Sequence, residues 1–179
     1  GNGNCDAAGR AGYLGGVVDD FFQDYKEHDG SNWVASISNK PTNAMTKAQV
    51  ITKYGPIEIW DTSQCTNMKC VFGLKKGINP DIRNWRVDRV TTMDSMFEQT
   101  DSFDRDLSSW IVSSVTIMID VFAHATGYNQ TLCGNTWINS KADKFHMFFT
   151  SVGSGSFGTG GGSIGTEICS CSPGTHLTS

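Results

Sequence analysis

The chain has 179 residues, a net charge of −4 and 18% charged residues, which suits one domain with a small appendage and does not suggest a nucleic-acid partner. It has no apolar run long enough for a direct membrane span. It begins with Gly1 rather than Met, without a signal peptide, as expected of a processed or excised part of a larger secreted protein.

Residues 1–56 read as an irregular N-terminal segment and a helical cap. Val17, Val18, Phe21, Phe22 and Tyr25 fall on a helical stripe, with Asp19, Asp20, Gln23, Asp24, Lys26 and Glu27 opposite. Residues 32–43 read as a loop containing Trp33. Thr46 caps a second short helix carrying Val50, Ile51 and Tyr54, which Gly55-Pro56 ends.

Residues 57–150 carry a repeat. Trp60, Trp85 and Trp110 are 25 residues apart, and Met68, Met93, Met118 and Phe72, Phe97, Phe122 keep that step. Leu107, Trp110, Val112 and Val115 have the spacing of a short buried strand, and Met118, Val121 and Phe122 the three-and-four spacing of a helix face. Thr66, Thr91, Thr116 and Asp143 sit where helix N-caps are expected. The fold class read from this is α/β: a short leucine-rich-repeat-like solenoid of about 25-residue strand-turn-helix units, each burying its apolar face against the next. Trp60, Met68, Phe72, Trp85, Met93, Phe97, Trp110, Met118, Phe122, Trp137, Phe145 and Phe149 form its expected core.

The phrases Gly55-Pro-Ile-Glu-Ile-Trp-Asp-Thr-Ser-Gln-Cys-Thr-Asn-Met68, Asp106-Leu-Ser-Ser-Trp110 and Val115-Thr-Ile-Met118 resemble the BspA-like family of leucine-rich-repeat relatives. The resemblance covers 57–149. It implies a solenoid of parallel strands and short helices in a surface or secreted protein, with a role in adhesion. The Asp that follows Trp in that family is kept at Asp61 and replaced by Arg86, Ile111 and Ile138.

Residues 151–179 read as a Gly/Ser-rich linker and the start of a Cys-rich module, from the Gly- and Ser-dominated run and Cys169-Ser-Cys171. Cys5, Cys65, Cys70, Cys133, Cys169 and Cys171 allow 15 complete pairings, and disulfides would place the protein in an oxidising compartment. Cys65 also reads as a buried hydrophobe. Asn129-Gln130-Thr131 is a glycan acceptor motif in an expected loop.

No phosphate loop, serine elbow or nucleophile with a base is present, so no enzyme activity and no cofactor are expected. Asp101, Asp104 and Asp106 form a candidate calcium loop without EF-hand spacing. The expected work is non-covalent recognition of a protein partner or of copies of the chain, on or outside a cell. Lys69, Lys75, Arg86, Arg89, Glu98 and Ile111 are the candidate surface. A building unit of a filament or coat is the competing role. A surface-glycan module stacking sugars on Trp rings is a third.

Overall fold

A computed structural model describes residues 14–28, 33–35, 42–151 and 163–164. Helix α1 (Leu14–Phe22) is followed by an antiparallel pair, β1 (Lys26–His28) and β2 (Trp33–Ala35), then by helix α2 (Lys47–Tyr54). The segment around Trp33, expected as loop, thus contributes a strand. Thr46 starts α2 through a reciprocal capping box: its Oγ1 accepts from Gln49 N at 3.3 Å, and Gln49 Oε1 accepts from Thr46 N at 2.8 Å. Gly55, at φ +78°, closes the helix with an N–H donated to Ile51 O.

The N-terminal helices cover one end of the repeats. Leu14, Val17, Val18 and Phe21 of α1 are buried, as is Val50 of α2. Phe21 meets Trp60 edge-on at 5.5 Å, and Phe22 lies 6.4 Å from Phe72. Asp20, expected on the polar face, is buried: its carboxylate accepts from Met45 N at 3.0 Å and Tyr25 Oη at 3.1 Å. That clip holds the start of α2 against α1.

The repeats, which we delimit as layers 57–75, 82–100, 107–125 and 132–151, are built from turns. The expected strand-turn-helix solenoid is corrected here. Among the described residues the repeats contain only the two-residue strand β3 (Thr131–Leu132), the four-residue helix α3 (Asn135–Ile138) and a 3-10 turn at Ile57–Ile59. No strand forms at the expected Trp110-x-Val112 position, and the parallel pairing consists of single bridges at the start of the expected helices, Asn67 to Thr92, Thr92 to Ile117 and Ile117 to Asp143.

The backbone hydrogen bonds explain why no helix forms. In the second layer Met96, Glu98 and Thr100 donate three residues back, to Met93, Ser95 and Phe97 O. The alternate N–H groups leave the layer: Met93, Ser95, Phe97 and Gln99 donate to Ile117, Ile119, Val121 and Ala123 O at 2.7–2.9 Å. Met68, Cys70, Phe72 and Leu74 reach Thr92, Asp94, Met96 and Glu98 in the same way. In these two strips every N–H from Met68 to Lys75 and from Met93 to Thr100 finds an acceptor, half of them within the layer and half in the next. The price is left-handed backbone at non-glycine residues, with φ of +57° at Cys70, +54° at Ser95 and +54° at Asp120. The apolar residues spaced three and four apart lie on one side of a run of turns.

The Thr column, expected to cap helices, does other work. Thr91 Oγ1 donates to Thr66 O and Thr116 Oγ1 to Thr91 O, both at 3.0 Å, beside N–H bonds of 2.8 Å to the same carbonyls.

Side chains stack as the backbone does. Phe72, Phe97 and Phe122 are fully buried, with ring centroids 5.2 Å apart at each step and interplanar angles of 3° and 2°. Phe148 continues the stack at 5.5 Å. Full burial of such a side chain is worth about 1.5–3 kcal/mol relative to exposure. Trp60, Met68, Trp85, Met93, Trp110, Met118 and Trp137 are also buried as expected.

The fourth layer departs from the expected register. Phe122 N donates to Met147 O and Phe148 stacks on Phe122. Phe148, not Phe149, is therefore the equivalent of Phe122. Phe145 takes the surface place of Ile119 and is 60% exposed, while Phe149 is half-buried. Both are corrected from the expected core. At Asp143 one residue is lost: its N–H donates to Thr116 O and its carbonyl accepts from Met118 N, duties that Thr116 and Ile117 divide in the third layer. At the start of this layer β4 (Ser163–Ile164) pairs in parallel with β3, and Ile164 packs against the core.

Candidate functional site

An exposed patch lies on the turn strip of the fourth layer. The rings of Phe145 and His146 stack 3.8 Å apart, and those of His146 and Phe149 4.8 Å apart. His124, from the third layer, meets Phe149 edge-on at 5.3 Å, and its Nδ1 contacts Thr150 Oγ1 at 2.5 Å. His146 Nδ1 stands 3.7 Å from Asp120 Oδ1. Burial raises the Asp120 carboxyl above its usual range, reinforced by the Glu98 charge and opposed by His146. The arrangement sets stacked, partly exposed rings beside the Asp120 carboxylate. Sequence reading missed it because Phe145 and Phe149 were placed in the core and the two histidines, 22 residues apart, looked scattered.

The expected interaction residues divide. Ile111 is 55% exposed on the third layer. Arg86 is exposed but pairs with Asp88 at 3.1 Å, and this hydrogen bond holds Asp88 below the usual carboxylate range. Arg89 Nη1 donates to Gln64 Oε1 of the preceding layer at 2.6 Å. Lys69 pairs with Asp94 of the next layer at 2.5 Å, a contact that raises its pKa. Glu98 is half-buried, and its carbonyl accepts from Leu74 N.

Lys75 is corrected outright. It is 2% exposed, and its Nζ lies 2.6 Å from Asp19 Oδ1 and donates to Asp24 O at 2.7 Å. It anchors α1 to the first layer and presents nothing to a partner.

The calcium candidates are also corrected, since among the described residues no group of acidic, His or Cys side chains could hold a metal ion. Asp101 accepts from Gly77 N at 2.7 Å, which lowers its pKa. Asp104 accepts from Asn129 N at 2.9 Å and Asp106 from Ser108 N at 2.9 Å. These carboxylates fasten loops. Asn129 is exposed at the return-loop edge.

Of the six cysteines, Cys70 is a free thiol, buried, and burial pushes its pKa up to about 12. Cys65 is in the core and Cys133 is half-buried at the return-loop edge. Cys65 and Cys133 are both disulfide-bonded, so of the three described cysteines it is Cys70 whose expected bridge is corrected. Cys5, Cys169 and Cys171 lie outside the described residues.

Among the described residues no helix is long and apolar enough to cross a membrane. No curated protein and no solved structure matches the chain. Residues 39–156, well over half of the chain, match one family, described as "Mycoplasma protein of unknown function, DUF285". With the scarcity of strand, this match replaces the expected BspA-like leucine-rich-repeat membership. The chain belongs to the DUF285 family.

Proposed function

We propose that the chain is a non-catalytic protein-interaction module acting at the cell surface or outside the cell. The observation that carries this reading is the Phe145, His146 and Phe149 patch, which holds a 60% exposed Phe on a strip tied to its neighbours by hydrogen bonds. A large ring fixed before contact loses little entropy on docking, as binding anchors require. Ile111 adds an exposed apolar side chain on the adjacent layer. The repeat also suits a building unit of an assembly, because its layers join through one recurring backbone pattern. The glycan reading has lost its Trp platform, since Trp60, Trp85, Trp110 and Trp137 are all buried.

The test compares proteins retained from native surface and secreted fractions by the wild type, Phe145→Asp and Ile111→Asp. Folding of each variant is verified by its thermal transition. Loss of a specific partner in the folded variants supports the reading. Identical retention by all three contradicts it.

A further inference from the structure

The backbone ladder ends open at the fourth layer. In the first three layers every second N–H of the turn strip donates to a carbonyl of the next layer. In the fourth, Met147, Phe149 and Ser151 make their bonds within the layer, to Lys144, His146 and Phe148 O. The alternate N–H groups of Lys144, His146, Phe148 and Thr150 have no acceptor among the described residues. Asp120 and His124, their counterparts one layer back, donate to Phe145 and Phe149 O at 3.1 and 2.7 Å.

The side chains stop in the same place. Phe72, Phe97 and Phe122 are fully buried between neighbours, whereas Phe148 is half-buried. The other edge of the layer is already extended, because β4 adds a parallel segment to β3 there.

We infer that the 144–150 strip is a docking edge for a segment of another protein chain, which adds to it as each layer adds to the one before. The occupant is defined by the ladder. It offers carbonyls at alternate residues, to meet the N–H groups of Lys144, His146, Phe148 and Thr150. It carries an aromatic residue directly after the carbonyl that meets Phe148, as Phe148 follows Met147 opposite Phe122. It is acidic, because exposed Lys141 and half-buried Lys144 flank the edge. Main-chain bonds supply affinity and the aromatic residue fixes register, the logic of segment addition at an exposed edge. This inference rests on the interaction reading and deepens it by stating the partner's chemistry.

The probe is a synthetic peptide copying residues 91–100, Thr-Thr-Met-Asp-Ser-Met-Phe-Glu-Gln-Thr, added to the full chain. Hydrogen exchange is followed residue by residue. The amides of His146, Phe148 and Thr150 are expected to exchange quickly in the free protein and to slow with peptide by at least about tenfold. A peptide with Ala in place of its Phe is expected to bind at least about tenfold more weakly. The inference is overturned if those amides are already slow without peptide, if protection appears only elsewhere, or if the peptide does not bind at millimolar concentration. Should the peptide fail while Ile111→Asp still abolishes retention of a partner, the docking edge is wrong and the interaction reading stands.

Discussion

The indole Nε1 of Trp85 donates to the backbone carbonyl of Ile57, 2.9 Å away in the preceding layer. Trp110 reaches Ile82 O at 3.2 Å and Trp137 reaches Leu107 O at 2.9 Å by the same bond. The third case survives a two-residue insertion before Trp137. A Leu at these positions would fill space without adding the side-chain bond that ties one layer to the one before, which is why the repeat uses Trp. Replacing Trp85 by Phe removes the shorter of two bonds to Ile57 O, leaving it the Trp60 N–H at 3.4 Å, and opens a gap beside it. The expected loss is about 2–4 kcal/mol, read by urea denaturation.

Tyr128 provides the opposite case. Its ring stacks 3.9 Å from Phe122, but its buried hydroxyl has no hydrogen-bond partner among the described residues. Burial drives its pKa upward, and removing the hydroxyl removes a desolvation cost. Tyr128→Phe is expected to stabilise the protein by about 1–3 kcal/mol. A lower melting temperature would show that the hydroxyl has a partner in solution.

The Lys75 and Asp19 pair carries a pH dependence. Burial raises Asp19 from 3.8 to about 6, against the lowering effect of Lys75. The native state therefore binds this proton more tightly than the unfolded chain, so the Asp19 contribution falls as pH rises from about 4 to about 6. Asp19→Asn is expected to remove that part of the pH profile. At pH 7 it also leaves the buried ammonium without its carboxylate, at a cost of about 3–5 kcal/mol. Parallel stability profiles for wild type and variant would refute this role.

Cys70 has a thiol held neutral by burial, with its pKa near 12. Reactivity belongs to the thiolate, so native protein at pH 8 is expected to leave Cys70 unmodified by iodoacetamide, and denatured protein to modify it fully. Rapid native labelling at Cys70, located by peptide mass, would contradict its burial.

The side-chain columns were legible in the sequence because Trp, Met and Phe return every 25 residues, and core positions tolerate little else. The conformation between them was not. Apolar residues three and four apart satisfy a helix and a run of turns equally, and left-handed residues here are Cys70, Leu74, Ser95 and Gln99, with no glycine to signal them. The fourth layer was misread because the residue lost at Asp143 moves every later side chain by one place, which put Phe145 and Phe149 in the core and hid the aromatic patch. Lys75 looked like surface because its partner Asp19 is remote in sequence, and only the docking of α1 brings the two together.

Through-hydrogen-bond NMR couplings from backbone nitrogen to carbonyl carbon test the central claim most directly. The turn-built layers predict couplings from Met93 to Ile117, Ser95 to Ile119 and Phe97 to Val121. Couplings within 91–100 from each nitrogen to the carbonyl four residues earlier would instead establish helices, and contradict both the layered backbone and the open edge at its end.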